Sequence, residues 1–213
     1  MALKRFADRE ALLGAHGRDG TLADADLSDL DLAGLDLSGL DLSGTVCNGA
    51  SLVGAVLDGC DCTTLFGQKM DLTGASFRGA RLEDCFFQHG RLEGADFTGA
   101  MVRRGRIFMC QAQNTKFVQA DLTDSELLGT NFTDADFSGA NLSRAVLREA
   151  VLEGARLIDC DLRETDFRKA NVNRAICRNV QAEGALYYGR SPWDGQTAAE
   201  QDWEGRLPRF DGE

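Results

Sequence analysis

The chain has 213 residues and a net charge of −11, from 34 acidic and 23 basic side chains, with 24 Gly, seven Cys and only two His and two Pro. A balance this negative repels phosphate and disfavours direct nucleic-acid binding, and no apolar run approaches the ~18 residues that a membrane-spanning helix needs. No secretory leader is recognisable, so the expected location is the cytoplasm, with no membrane role.

Residues 1–20 fall outside any repeat. Asp8 to Gly14 predicts one short helix, with Asp8 as its N-cap and Gly14 as its stop, placed to cover the first repeats of the chain. From Leu22 to Ala182 large positions then recur every fifth residue without a slip, Gly67 and Ala112 being the undersized members. The stretch 135–172 shows this most cleanly. Phe137, Leu142, Leu147, Leu152, Leu157, Leu162, Phe167 and Val172 each follow, by two residues, a small residue such as Ala140 or Ala155.

Five is neither the 3.6 of a helix nor the 2 of a strand, so no single regular element keeps this pattern on one face. The unit must be composite: a short extended step with the small and large residues inward and one residue outward between them, then a two-residue turn. Gly is frequent at the second turn position, as at Gly139 and Gly154, where it relieves an unusual φ. The outward residue is often Asp or Asn, whose side chain accepts nearby backbone N–H groups.

Acidic side chains crowd the first third. Asp24, Asp26, Asp29, Asp31, Asp36, Asp41, Asp58, Asp61 and Asp71, with Asp19 just before them, face only one cation, Lys69. Beyond serving turns and solubility, this candidate acidic surface would attract a basic partner in a salt-dependent way. Further on, Met101–Thr115 is the least regular stretch, with Arg103, Arg104 and Arg106 forming a basic island and Met109 expected to fill the space beside Ala112. The cysteines occupy inward columns with no CxxC pair, which predicts reduced, apolar core thiols. Two His, no phosphate loop and no zinc spacing predict no enzyme, no cofactor and no metal. Stacked carboxylates such as Asp41 and Asp61 lack the concave pocket that catalysis uses.

The pattern A-(D/N)-L-x-x, seen as Ala-Asn-Leu at 140–142, Ala-Asp-Leu at 120–122 and Asp-Phe at 96–97, resembles the pentapeptide-repeat family. That resemblance implies an all-β fold, a right-handed quadrilateral parallel β-helix with four repeats per coil. Residues 1–20 would be an N-terminal cap, 21–185 the helix, and 186–213 a C-terminal cap or tail, with a capping box at Thr197 and Glu200 opening a short helix and Tyr187, Tyr188, Trp193 and Trp203 lying across the last coil. Stacking residues twenty apart would line Phe77, Phe97, Phe117 and Phe137 into an internal ladder. It would also align Val46, Phe66, Phe86, Phe108, Leu128 and Val146 on one outer face, where most repeats put polar residues. Such an apolar strip marks a partner or dimer interface, or else reflects β-propensity or a docked terminus.

The function expected from these features is a rigid, non-enzymatic interaction module that meets an unidentified protein partner through that strip. The alternative, implied by resemblance to bacterial gyrase-interacting pentapeptide-repeat proteins, is a DNA mimic that modulates DNA gyrase. The uninterrupted register leaves no room for the projecting loops of some of those proteins. The assembly expected is a monomer, or a homodimer through the C-terminal segment.

Overall fold

The computed structural model describes residues 4–12 and 21–187; Gly14, the capping box, Tyr188 and both tryptophans lie outside them. The chain coils around one axis in five-residue steps, four to a turn, so that each outward residue meets the one twenty positions on. Parallel bridges run without a slip from Thr21↔Asp41 to Asp166↔Leu186. They define a first face through positions 26, 46, 66, 86, 106, 126, 146, 166 and 186, and three others beginning at Asp31, Asp36 and Thr21. At ~4.8 Å per coil, about eight coils make a rod roughly 40 Å long.

Two backbone bonds per step hold the coils together. The inward large residue donates to the next coil's outward residue, as Leu27 N to Val46 O at 2.7 Å, and that residue donates back, as Val46 N to Ala25 O at 2.9 Å. Most steps are too short for more than a single bridge. Where the corner opens, true strands form. On the first face these are β3 (Phe66–Gln68), β4 (Phe86–Gln88) and β5 (Arg106–Phe108), and on the third face β6 (Arg156–Ile158) and β7 (Ile176–Arg178). At these open corners Gly90 N donates to Cys110 Sγ (3.3 Å) and Cys110 N to Thr130 Oγ1 (3.3 Å). Elsewhere the turn closes on itself, as Ala25 N does on Leu22 O at 3.1 Å.

The second turn residue has positive φ throughout, 72° at Gly139 and 68° at Gly154, and non-glycine residues such as His89 (54°) and Arg104 (53°) accept the same left-handed conformation. At Gly154 a Cβ would also crowd Oδ1 of the exposed Asp134 carboxylate on the preceding coil, which would have to swing aside.

Inside, the large and small columns are buried from Leu22 to Tyr187, except Leu40 and Ala170, which are half-buried. Phe77, Phe97, Phe117 and Phe137 stack as expected, with successive centroids 5.0, 4.8 and 5.2 Å apart and rings parallel within 6°, and Phe132 meets the last two edge-on. Polar members of the small column donate inward to carbonyls: Thr45 to Leu42, Thr115 to Ala112, Thr165 to Leu142, each at 2.8 Å. All seven cysteines are free and buried; burial pushes the thiols of Cys47, Cys85 and Cys160 up to about 12 and that of Cys110 up to about 11.

Two expectations are corrected. Met109 does not fill the space beside Ala112; it sits at an open corner with φ 51° and is 49% exposed. Tyr187 does not lie across the last coil but occupies the next large inward position, 4% exposed, while Leu186 continues the first face by pairing with Asp166. At the other end, β1 (Lys4–Arg5) pairs in parallel with β2 (Ala25–Asp26) and so adds a rung to the first face. Asp8 caps residues 9–12, accepting Ala11 N at 2.8 Å, and Phe6 and Leu12 are buried in the same core.

Candidate interaction surfaces

The acidic residues are not one patch. Asp26 lies on the first face, Asp31 and Asp71 on the second, Asp36 on the third, and Asp41 and Asp61 on the fourth. Asp24 and Asp29 stand at corners with φ 54° and 62°. Asp58, beside its inward neighbour Leu57, accepts Arg78 N of the next coil at 3.0 Å. The carboxylates therefore surround the first coils on every side.

Six of them share one local device. Asp26, Asp31, Asp36, Asp41, Asp61 and Asp71 each accept the N–H two residues on, at 3.0–3.1 Å. In later coils Asn131, Asn141 and Asn171 make the same bond, at 3.0–3.1 Å, with a neutral amide oxygen. The turn thus asks for an acceptor and not for a charge. Hydroxyl and then backbone N–H bonds from Ser28, Ser38 and Ser43 hold the carboxyls of Asp26, Asp36 and Asp41 below the usual range, so these groups are ionised at neutral pH.

Later coils cancel their charge. Arg81 reaches Asp61 at 3.3 Å, Arg91 reaches Asp71 at 3.1 Å, Arg104 reaches Asp84 at 2.8 Å and Arg144 reaches Asp124 at 2.6 Å, each pair twenty residues apart. Among the described residues Asp24, Asp29, Asp31, Asp36, Asp41 and Asp58 have no ion pair, and Asp26 has only Arg5 at 3.7 Å. The twenty-residue spacing of Arg after Asp was the signal in the sequence that would have exposed this ladder. Within the stretch from Asp24 to Asp71 it leaves unpaired acid only in the first two coils.

The residues of the apolar strip lie along the first face. Phe66 and Phe86 stack at 4.9 Å with rings 5° from parallel, Phe108 meets Phe86 edge-on at 5.8 Å, and the Arg106 guanidinium lies 5.3 Å over the Phe86 ring. Val46 and Val146 sit on the same row of rungs and Leu128 on the row of Phe108; all six named strip residues are half-buried. Beside the rings runs an amide ladder: Asn48 Oδ1 accepts Gln68 N at 2.9 Å, and Gln68 Nε2 donates to Gln88 Oε1 at 2.9 Å. The strip meets the acidic coils at Val46, which is bridged to Asp26 on the same face, and its Phe rings lie beyond them.

Nothing in the described residues assembles a reaction centre. No group of three His, Cys, Asp or Glu side chains there is placed to hold a metal ion, His89 points out from a corner, and among the described residues no helix is long and apolar enough to cross a membrane. A shallow cleft of about 440 Å³ beside the N-terminal cap, lined by Arg5, Phe6, Ala7, Ser28, Asp29 and Leu30, is open to solvent.

The chain belongs to the pentapeptide-repeat family, whose model for pentapeptide repeats matches eight copies over residues 21–63, 68–101, 110–144 and 140–179. The family is one of non-enzymatic solenoids. Among solved structures the chain is similar to a trypsin-treated variant of QnrB1, a plasmid-mediated fluoroquinolone resistance protein, at 19% identity and a TM-score of 0.60, over 86% of this chain and 92% of that one. It is also similar to HetL, a pentapeptide-repeat protein involved in heterocyst differentiation regulation in the cyanobacterium Nostoc, at 22% identity and a TM-score of 0.31, over 85% of this chain and 98% of that one. By sequence, no curated protein matches it.

Proposed function

We propose that the protein is a non-enzymatic DNA mimic whose first two coils enter a site built for duplex DNA on a topoisomerase, with DNA gyrase the partner to test first. One observation carries this reading. Residues 21–60 hold seven Asp and no Lys, Arg or Glu. Two coils at ~4.8 Å therefore display one carboxylate per ~1.4 Å of axis, close to the one charge per ~1.7 Å of a DNA duplex.

Three features support it. The carboxylates surround the rod, as phosphates surround a duplex. Neutral Asn makes the same turn bond elsewhere in the chain, so the fold does not require the charge. Residues 72–187 carry 16 acidic against 15 basic side chains, a net of −1, so the field is concentrated at one end. The fold is shared with QnrB1, a fluoroquinolone resistance protein, which is why a fluoroquinolone belongs in the test.

A gyrase supercoiling assay with the purified protein at two salt concentrations, with and without a fluoroquinolone, tests the reading. Inhibition that weakens as salt rises, or relief of drug-stabilised cleavage, is the expected result. No effect at micromolar protein would remove gyrase as the partner.

A further inference from the structure

Two opposite charges on the first face stand on consecutive coils and make no ion pair among the described residues. Arg106 and Glu126 are bridged, about 4.8 Å apart along the rod, and both are exposed. Arg106 instead lays its guanidinium 5.3 Å over the Phe86 ring, on the coil away from Glu126. We propose that a second copy of the chain covers this face, in an antiparallel pair whose two-fold axis crosses the rods between the Arg106 and Glu126 rungs.

A two-fold contact presents the same surface from both sides, so each rung meets the one equally far beyond the axis. The ladder at one corner of the face limits where that axis can fall. Asp84, Arg104, Asp124 and Arg144 alternate in sign from coil to coil. An axis on a rung sets like charges of this ladder against each other, whereas an axis half-way between rungs sets opposite charges together. Of the half-way positions, the one between Arg106 and Glu126 also joins those two residues, each to its counterpart in the other copy. The neighbouring choices set Glu126 against Phe66 or Val146.

The apolar side chains match on the same axis. Phe86 meets Val146 and Phe108 meets Leu128, so each large ring faces a smaller side chain on both rows of the strip. One rung further out Phe66 faces Asp166, whose carboxylate is covered by Arg148 at 2.5 Å and Arg168 at 2.8 Å, so the ring meets guanidinium. The like pair Lys69 and Lys169 falls at the rim, where Glu149 holds Lys169 at 3.5 Å. The acidic first coils lie outside these rungs and stay uncovered in both copies.

Sedimentation velocity of the full chain, from micromolar to sub-millimolar protein, reads the assembly. The wild type should show a monomer–dimer equilibrium. R106E and E126R each set like charges against each other and should raise the dissociation constant about tenfold or more, with the β-rich circular dichroism retained because both positions are exposed. Mixing the two variants should restore the dimer, because each chain then supplies what the other lacks at both contacts; combining R106E and E126R in one chain should restore it as well. A wild type that stays monomeric throughout would overturn the proposal. So would a dimer indifferent to both variants, which would use another surface, or weakened variants that neither mixing nor combination repairs. Should either variant fail to fold, a photo-crosslinking side chain introduced at Leu128 decides: an intermolecular product at or beside Phe108 supports the proposal, and an intermolecular product elsewhere, or none, refutes it.

Discussion

Met70 occupies the space that Gly67 leaves open: a Cβ on Gly67 would lie 2.2 Å from Met70 Sδ. Large and small columns have exchanged members within one repeat, and the core volume is kept. Met70→Ala alone should therefore cost about 2–5 kcal/mol, as cavity-forming core truncations do, and Gly67→Leu alone should overpack the same spot at about 1–3 kcal/mol. The double variant restores a regular repeat and should recover at least about 1 kcal/mol of the summed loss. Urea denaturation of the four proteins checks this, and strict additivity would show that the two sites do not share a space.

At Gly154, positive φ and the nearby Asp134 carboxylate act together. Gly154→Ala should destabilise by about 1–3 kcal/mol, whereas at Gly34 (φ 67°), where a Cβ meets nothing within 4 Å, the same change should cost only the left-handed backbone penalty of about 1–2 kcal/mol. Thermal melts of the two variants should separate in that order.

The depressed pKa of Asp26, Asp36 and Asp41 gives a signed pH dependence. Their folded values lie below the unfolded value of about 3.9, so the stability from their turn bonds is complete above that pH and is lost as the pH falls through the folded values. Urea midpoints should decline below about pH 4, and Asp36→Asn with Asp41→Asn should flatten the decline. An unchanged profile in that variant would mean the bonds contribute nothing to folding.

Burial predicts silent thiols. With Cys47, Cys85 and Cys160 pushed up to about 12, none of the three should react with a thiol-specific disulfide reagent in the native protein at about pH 8, and all should react once the protein is unfolded. Rapid native labelling at any of them would show that the coil opens locally.

The period of five made the coil, the Phe77 to Phe137 ladder and the alignment of Phe66 with Phe86 readable before any coordinates, because one uninterrupted register determines which residues stack. What escaped the sequence depends on contacts between columns. Gly67 read as an undersized slot because its filler, Met70, sits in the column reserved for small residues. Met109 read as core because the open corner after β5, which turns it outward, has no marker in a single repeat. The acid looked like a stretch from Asp24 to Asp71, since only coil-to-coil pairing shows that Arg81 and Arg91 answer Asp61 and Asp71.

The most direct test of the proposed function is displacement of labelled duplex DNA from gyrase. The competitor is wild-type protein or a variant with Asn at the seven Asp positions of residues 21–60, a change that keeps a side-chain acceptor at each turn. The wild type should displace the duplex with an apparent affinity that falls as salt rises, and the variant, folded to the same circular dichroism spectrum, should lose most of that competition. Equal displacement by both proteins would contradict charge mimicry by the first coils.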